Sequence, residues 1–365
     1  MPLLTPQLPD FFNITTFGAQ YHGNTPSESK AALIAEFDTA LKAAAVFVED
    51  LINDDTERDL GLSRVWISYW KSPEAFQTWW NCPETKQFWA ALPEDAGFWR
   101  ESLRFSNKRF VTEMSQDIPS GVGHLGPMVP LTEKTGYWGA LRDRLQESTN
   151  RNILASSIDG VPEPKAPTGD LRRGRVKITK FPDNICFVVE GQDRTTMTGA
   201  ESKLWSEKFH RNTKRFITNV VRTGPDAGML SARLCHVPES GKTKIEPSYG
   251  TDDPDFFPAL DFNRCVQIFF FLEFRYMERA GRREKSHVAL RREFMEAYEP
   301  AGCMAHGNML VWVDCGVVKS QDIEAEYVGC YDGTGFLAYD HHPDFKSTVN
   351  GQSKLQGLLS YVGLA

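Results

Sequence analysis

Residues 266–337 narrow the possible folds more than any other stretch. VQIFFFLEF, starting at Val266, is an apolar run of strand length. It leads into REKSHVALRREFMEAY, where His287, Leu290, Phe294 and Tyr298 recur at helical spacing. A second strand-like run, MLVWVDCGVV, follows, and then YVGCYDGTGFL. His287 therefore lies on the apolar face of a helix set between two strands. An imidazole there is either a core residue satisfied by a backbone carbonyl, or a ligand offering a neutral nitrogen to a metal centre. Spacing alone leaves both open.

The same order of elements precedes it. FFNITTFGAQY reads as a strand. TPSESKAALIAEFDTALKAAAVFVEDLI reads as one long helix, with Thr25 as cap, Pro26 in the first turn and Glu28 completing a capping box. Its apolar face is Leu33, Phe37, Leu41, Val48 and Leu51. SRVWISYW is a second strand, and SPEAFQTWWNCPETKQFWAAL a helix interrupted at Pro83. Residues 113–174 read as irregular and end in the linker-like VPEPKAPTGDLRRGR. Beyond it come the strand-like RVKITKFPDNICFVVEG, a helix with Trp205, Phe209, Phe216 and Val220 on one face, and the strand GMLSARLCHV.

Two halves, 1–155 and 156–365, are expected from this repetition. Repeated strand-helix-strand units predict an α+β fold of two ferredoxin-like halves, their antiparallel sheets forming a dimeric-type α+β barrel.

Composition sets limits on partners. Net charge is −7 with acids and bases interspersed, so neither a nucleic-acid stripe nor a polybasic membrane patch stands out. The longest apolar run is too short to span a bilayer, and the N-terminus lacks the pattern of a secretory signal. Seven scattered cysteines without a CxxC argue for a reducing, cytoplasmic setting rather than a disulfide framework.

No GxGxxG after a strand, P-loop, GxSxG or HExxH occurs. His22, His210 and His236 have polar neighbours and no ligand-like spacing, and His341-His342 reads as a solvated pair. GYWGALRDR is unusual: glycines flank two aromatics, and Asp143 stands between Arg142 and Arg144. It reads either as a loop anchor or as a pocket wall.

GYWGALRDR, DNICFVVEGQD, GPDAGMLSAR, KSHVALRREF and YVGCYDGTGFL stand in this order along the chain. In that combination the sequence resembles the haem-containing aldoxime dehydratases, from about Phe11 to about Tyr339. The resemblance implies a lyase with one haem b, whose iron His287 binds as proximal ligand. It implies a small-molecule aldoxime, R–CH=N–OH, dehydrated to a nitrile, and a possible homodimer. Ser231 matches the distal serine that hydrogen-bonds the departing oxygen, and Asp143 matches an acidic pocket position.

Two positions depart from the family. Val189 stands where an arginine is expected, and Val313 where the distal histidine is expected. A dehydratase must still protonate the departing oxygen. His306, just before the strand, and Asp143 are the candidate acids; strand alternation turns Asp314 away from the haem. Two other readings stay open: a haem protein of the same fold acting on a different N–O or N–N substrate, and a non-catalytic haem-binding module.

Overall fold

The computed structural model of the chain describes residues 3–136, 139–197, 199–243 and 257–350. β1 (Leu3–Pro6) and β2 (Phe11–Gln20) precede α1 (Glu28–Ala44). β3 (Phe47–Asp55), β4 (Gly61–Trp70), α2 (Pro73–Trp80), α3 (Pro83–Ala91), β5 (Phe98–Ser106), β6 (Phe110–Met114) and β7 (Met128–Leu131) follow. After α4 (Ala140–Arg144) come β8 (Leu171–Ile178), β9 (Ile185–Asp193), α5 (Gly199–Leu204), one π-helical turn (Trp205–Phe209) and α6 (His210–Thr223). Then come β10 (Met229–His236), β11 (Arg264–Phe271), α7 (Phe274–Arg283), α8 (Lys285–Tyr298), β12 (Leu310–Val318), β13 (Ile323–Tyr331) and β14 (Ser347–Asn350).

The expected long helix ends at Ala44, and Val48 and Leu51 belong to β3 instead. Glu49, Leu51 and Asn53 are buried alternately along that strand, and Glu49 pairs with Arg264 of β11. Tertiary pairing thus overrides a spacing that also fits a helix. The cap is Ser27 rather than Thr25: its hydroxyl accepts from the Lys30 amide. RVKITKFPDNICFVVEG is two strands, β8 and β9, with Asn184 left-handed at the turn between them. The stretch expected to be irregular contains β7 and α4.

All strands join one antiparallel ladder, in the order β14-β8-β13-β5-β2-β4-β3-β10-β11-β9-β12-β6-β1-β7. This corrects the expected barrel: the sheet is open. Among the described residues its two end strands, β14 and β7, each pair with one neighbour only. Closure would join the outer edges of β5 and β12. Those edges are already hydrogen-bonded, β5 to β13 and β12 to β6, so no edge is left there to close the ring.

Period-two alternation divides the sheet into two faces. Phe187, Val189, Ile268 and Phe270 enter an inner cluster with Phe12, Ile14, Val65 and Trp99. Val188, Phe269, Phe271, Ala232, Cys315 and Val317 point the other way, under Phe216, Ile217 and Val220 of α6. Each such buried side chain contributes about 1.5–3 kcal/mol. α1, α2 and α3 cover the corresponding face of β2 and β4, where Phe17, Trp66 and Trp70 meet Phe37, Phe76 and Trp89.

One close contact occurs twice. Gly18 on β2 lies across the ladder from Trp99 on β5, and Gly191 on β9 from Trp312 on β12. In both, the indole fills the space a β-carbon would need. Arg233 lies 4.1 Å over Trp99 and Arg264 lies 4.8 Å over Trp312. All seven cysteines are thiols. Among the described residues no helix is long and apolar enough to cross a membrane.

Candidate functional site

α7 and α8 meet at Glu284, whose carboxylate accepts the His287 amide at 3.0 Å and so caps α8. The His287 ring stacks on Phe216 of α6 at 4.4 Å between centroids and 28° between planes. Its Nδ1 lies 2.7 Å from the Gly281 carbonyl oxygen. A carbonyl only accepts, so Nδ1 carries the proton and the lone pair sits on Nε2. Burial holds the imidazole below its ordinary pKa, with the Gly281 contact pulling weakly the other way. A neutral imidazole of fixed tautomer, held by a backbone carbonyl, has the form of an axial metal ligand.

From His287 to Phe294 the apolar stripe of α8 is only partly covered, and it closes at Ala297 and Tyr298. Leu290 and Phe294 share a cluster with Val311 of β12, and Val313 packs at the edge of the cluster under α6. Yet His287, Leu290, Phe294, Val311, Val313 and Glu190 are all only half-buried. On the same sheet face Val188, Cys315 and Val317 are no more than 1% exposed. Close helix-on-sheet packing would bury both sets equally. Packing between α8 and the sheet is therefore looser here than under α6, and this looser seam, or slot, is lined by apolar side chains from both.

The slot's floor is a cross-strand row. Val313 pairs with Glu113 on one side and Glu190 on the other, and Glu190 pairs in turn with Gln267. Directly paired residues share a face, with β-carbons about 5 Å apart. Glu113 accepts from Arg144 at 2.8 Å. The Glu190 carboxyl has no hydrogen bond or ion pair among the described residues, and burial pushes it up to about 7. Gln267 is fully buried, and neither its amide nitrogen nor its oxygen has a partner. Such a group costs about 1–3 kcal/mol unless something satisfies it, which marks a place where a ligand or water belongs.

The structure separates the residues expected from the sequence. Ser231 follows a bulge in β10 and pairs with Phe270, so it faces the inner side of the sheet. There it lines a cavity of about 350 Å³ with Gln20, Asn53, Trp99, Arg233 and Tyr339. His287 and Ser231 thus lie on opposite sides of the sheet. Val189 also faces inward, while Val313 faces the slot. Asp314 turns inward, as alternation expects, accepting from the Thr112 hydroxyl at 2.7 Å and from the Val122 amide. His306 is exposed in the loop before β12.

Asp143 is exposed on α4, and its two neighbours anchor that helix. Arg142 pairs with Glu278 of α7 at 2.6 Å and lies over Phe274; Arg144 reaches Glu113 at the slot floor. Tyr137 and Trp138 of GYWGALRDR lie outside the described residues. Glu190 and Gln267 were missed in the sequence. The signal was there: each is a polar residue within an apolar strand run, and their period-two neighbours Val188 and Phe269 face the helices.

Among the described residues no group of three or more His, Cys, Asp or Glu gathers to hold a bare metal ion. A haem asks only one axial side chain of the protein.

A phenylacetaldoxime dehydratase of Bacillus sp. (strain OxB-1) is 25% identical over 280 residues, covering 75% of this chain and 73% of that protein. A crystal structure of an aldoxime dehydratase in complex with butyraldoxime superposes with a TM-score of 0.70 at 18% identity, covering 92% of this chain and 88% of that one. A second aldoxime dehydratase crystal structure gives the same TM-score and identity, with 92% and 91% covered. These two likenesses establish the fold. Residues 15–336 match the haem-containing dehydratases, and the chain belongs to that family as a member of low sequence identity.

Proposed function

We propose that this protein is a haem-dependent lyase that dehydrates an aldoxime to a nitrile, with haem b seated in the slot between α8 and the sheet. His287 is the proximal ligand in this reading. The observation that carries it is the 2.7 Å contact from His287 Nδ1 to the Gly281 carbonyl, which sets the tautomer an axial ligand needs, with the proton on Nδ1 and the lone pair on Nε2. The slot fits the group as well: Leu290 and Phe294 from the helix, and Val311 and Val313 from the sheet, offer apolar walls to a macrocycle. Haem, when bound, would supply an iron able to weaken the oxime N–O bond. The protein's part is to hold that group by one imidazole, to exclude bulk water with apolar walls, and to place a proton donor at the departing oxygen.

A second reading, a haem protein for another N–O or N–N substrate, is favoured by one observation. The sheet offers the slot Val313 where the family resemblance implies histidine, and turns Ser231 to its other face. One experiment separates the readings. The purified protein reconstituted with haem should show haem absorption bands and, when reduced without oxygen, convert aryl or alkyl aldoximes to nitriles. Haem bands without nitrile support the second reading; no haem bands overturn both.

A further inference from the structure

We propose that Glu190, paired across the ladder with Gln267, is the acid that protonates the departing oxygen of an N-hydroxy-imine substrate in the slot. This rests on the haem-slot reading above and names the group that replaces the missing distal histidine.

Position is the first argument. Val313 is the slot residue where a histidine would stand, and Glu190 is its direct cross-strand partner. The carboxyl is therefore one strand spacing, about 5 Å, from the place left without a donor. His306 and Asp143, the acids expected from the sequence, are both exposed instead.

Surroundings are the second. The Glu190 carboxyl has no hydrogen bond or ion pair among the described residues, so no cation holds it ionised. Its neighbour Gln267 is fully buried with both amide atoms unpartnered. A buried, unpartnered amide across the ladder from an unpartnered, half-buried carboxyl is an incomplete hydrogen-bond network. A hydroxyl-bearing substrate completes it.

Of the ionisable groups on the packed elements, Arg291 of α8 bears on His287 and disfavours its protonation, and others pair among themselves. Glu113 pairs with Arg144, Glu278 with Arg142, and Lys214 with Asp261 beside His210. Arg194 donates to Gln192, and burial keeps Cys315 a thiol. On α8 the imidazole of His287 is neutral. Burial alone raises the Glu190 carboxyl, to about 7, which keeps a usable fraction protonated near neutrality.

The step balances. Glu190 gives its proton to the hydroxyl oxygen; the N–O bond breaks with its electron pair on oxygen, and water leaves. The C–H electron pair becomes the third carbon–nitrogen bond. The carbon's proton passes to the Glu190 carboxylate, which restores the acid. No oxidant or reductant is consumed.

The test compares the haem-loaded wild type, Glu190→Gln and Glu190→Asp. The C–O stretching band of each ferrous carbonyl complex is followed from about pH 5 to about pH 9, bracketing the raised acid, together with nitrile formation. The wild-type band should shift with a midpoint within about one unit of neutrality. Glu190→Gln should keep its haem, show one pH-independent band and lose turnover by about 10²–10⁴-fold. Glu190→Asp should keep a titrating band. A Glu190→Gln protein with the wild-type band at every pH and wild-type turnover overturns the assignment alone. A wild type that binds no haem overturns the underlying reading, and this assignment with it.

Discussion

His287 Nδ1 lies 2.7 Å from the carbonyl oxygen of Gly281, one residue of α7 orienting the first turn of α8. The bond fixes both the ring and the tautomer, so it is part of the ligand rather than a packing detail. His287→Ala should fold, because the residue is half-buried and α8 keeps its Glu284 cap. Haem content, read by absorbance after gel filtration, should fall to near zero and return with millimolar imidazole. Wild-type haem content in the mutant would sink the assignment.

Glu190 sets a pH dependence of stability that can be read without haem. Its folded pKa, about 7, lies above the ordinary carboxyl value of 4.5. Between those values the folded state binds the extra proton, so stability falls as pH rises and levels off above about 7. Asp314, also raised to about 7 by burial, acts with the same sign. Glu190→Gln should remove one share of that slope. In urea titrations of the haem-free protein it should stabilise by up to about 3 kcal/mol at pH 8 and by little at pH 4. Equal effects at both pH values would contradict the raised pKa.

Ser231 faces the cavity on the inner side of the sheet. Ser231→Ala should leave the ferrous carbonyl band unchanged and lower turnover by less than about tenfold, since it deletes one hydroxyl away from the slot. A hundredfold loss with a shifted carbonyl band would place Ser231 at the haem after all.

Gly191 lies under the Trp312 indole with no room for a β-carbon. Gly191→Ala forces the ring, and with it the Arg264 stack, out of place. The cost should be about 1–3 kcal/mol, seen as a lower urea midpoint with an unchanged slope. Gly174→Ala makes the contrast: no atom crowds its β-carbon position, so only its positive φ is at stake.

Local pattern alone located most strands and helices. Continuous apolar runs such as VQIFFFLEF and the helical face of Trp205, Phe209, Phe216 and Val220 require burial whatever surrounds them. His287 was visible for the same reason, since spacing places it on an apolar helix face. Family membership was also legible, carried by motifs in a fixed order. Spacing could not show that Val48 and Leu51 leave α1 for β3, because both continue the helical spacing, and only the ladder to β4 and the meeting of Glu49 with Arg264 make the segment a strand. Nor could it show that β13 and β6 occupy the edges a barrel would close, because pairing partners are fixed by long-range hydrogen bonds. The bulge at Ser231 and the row Glu113–Val313–Glu190–Gln267 follow from register. A shift of one residue moves a side chain through the sheet, and only the folded ladder sets that register.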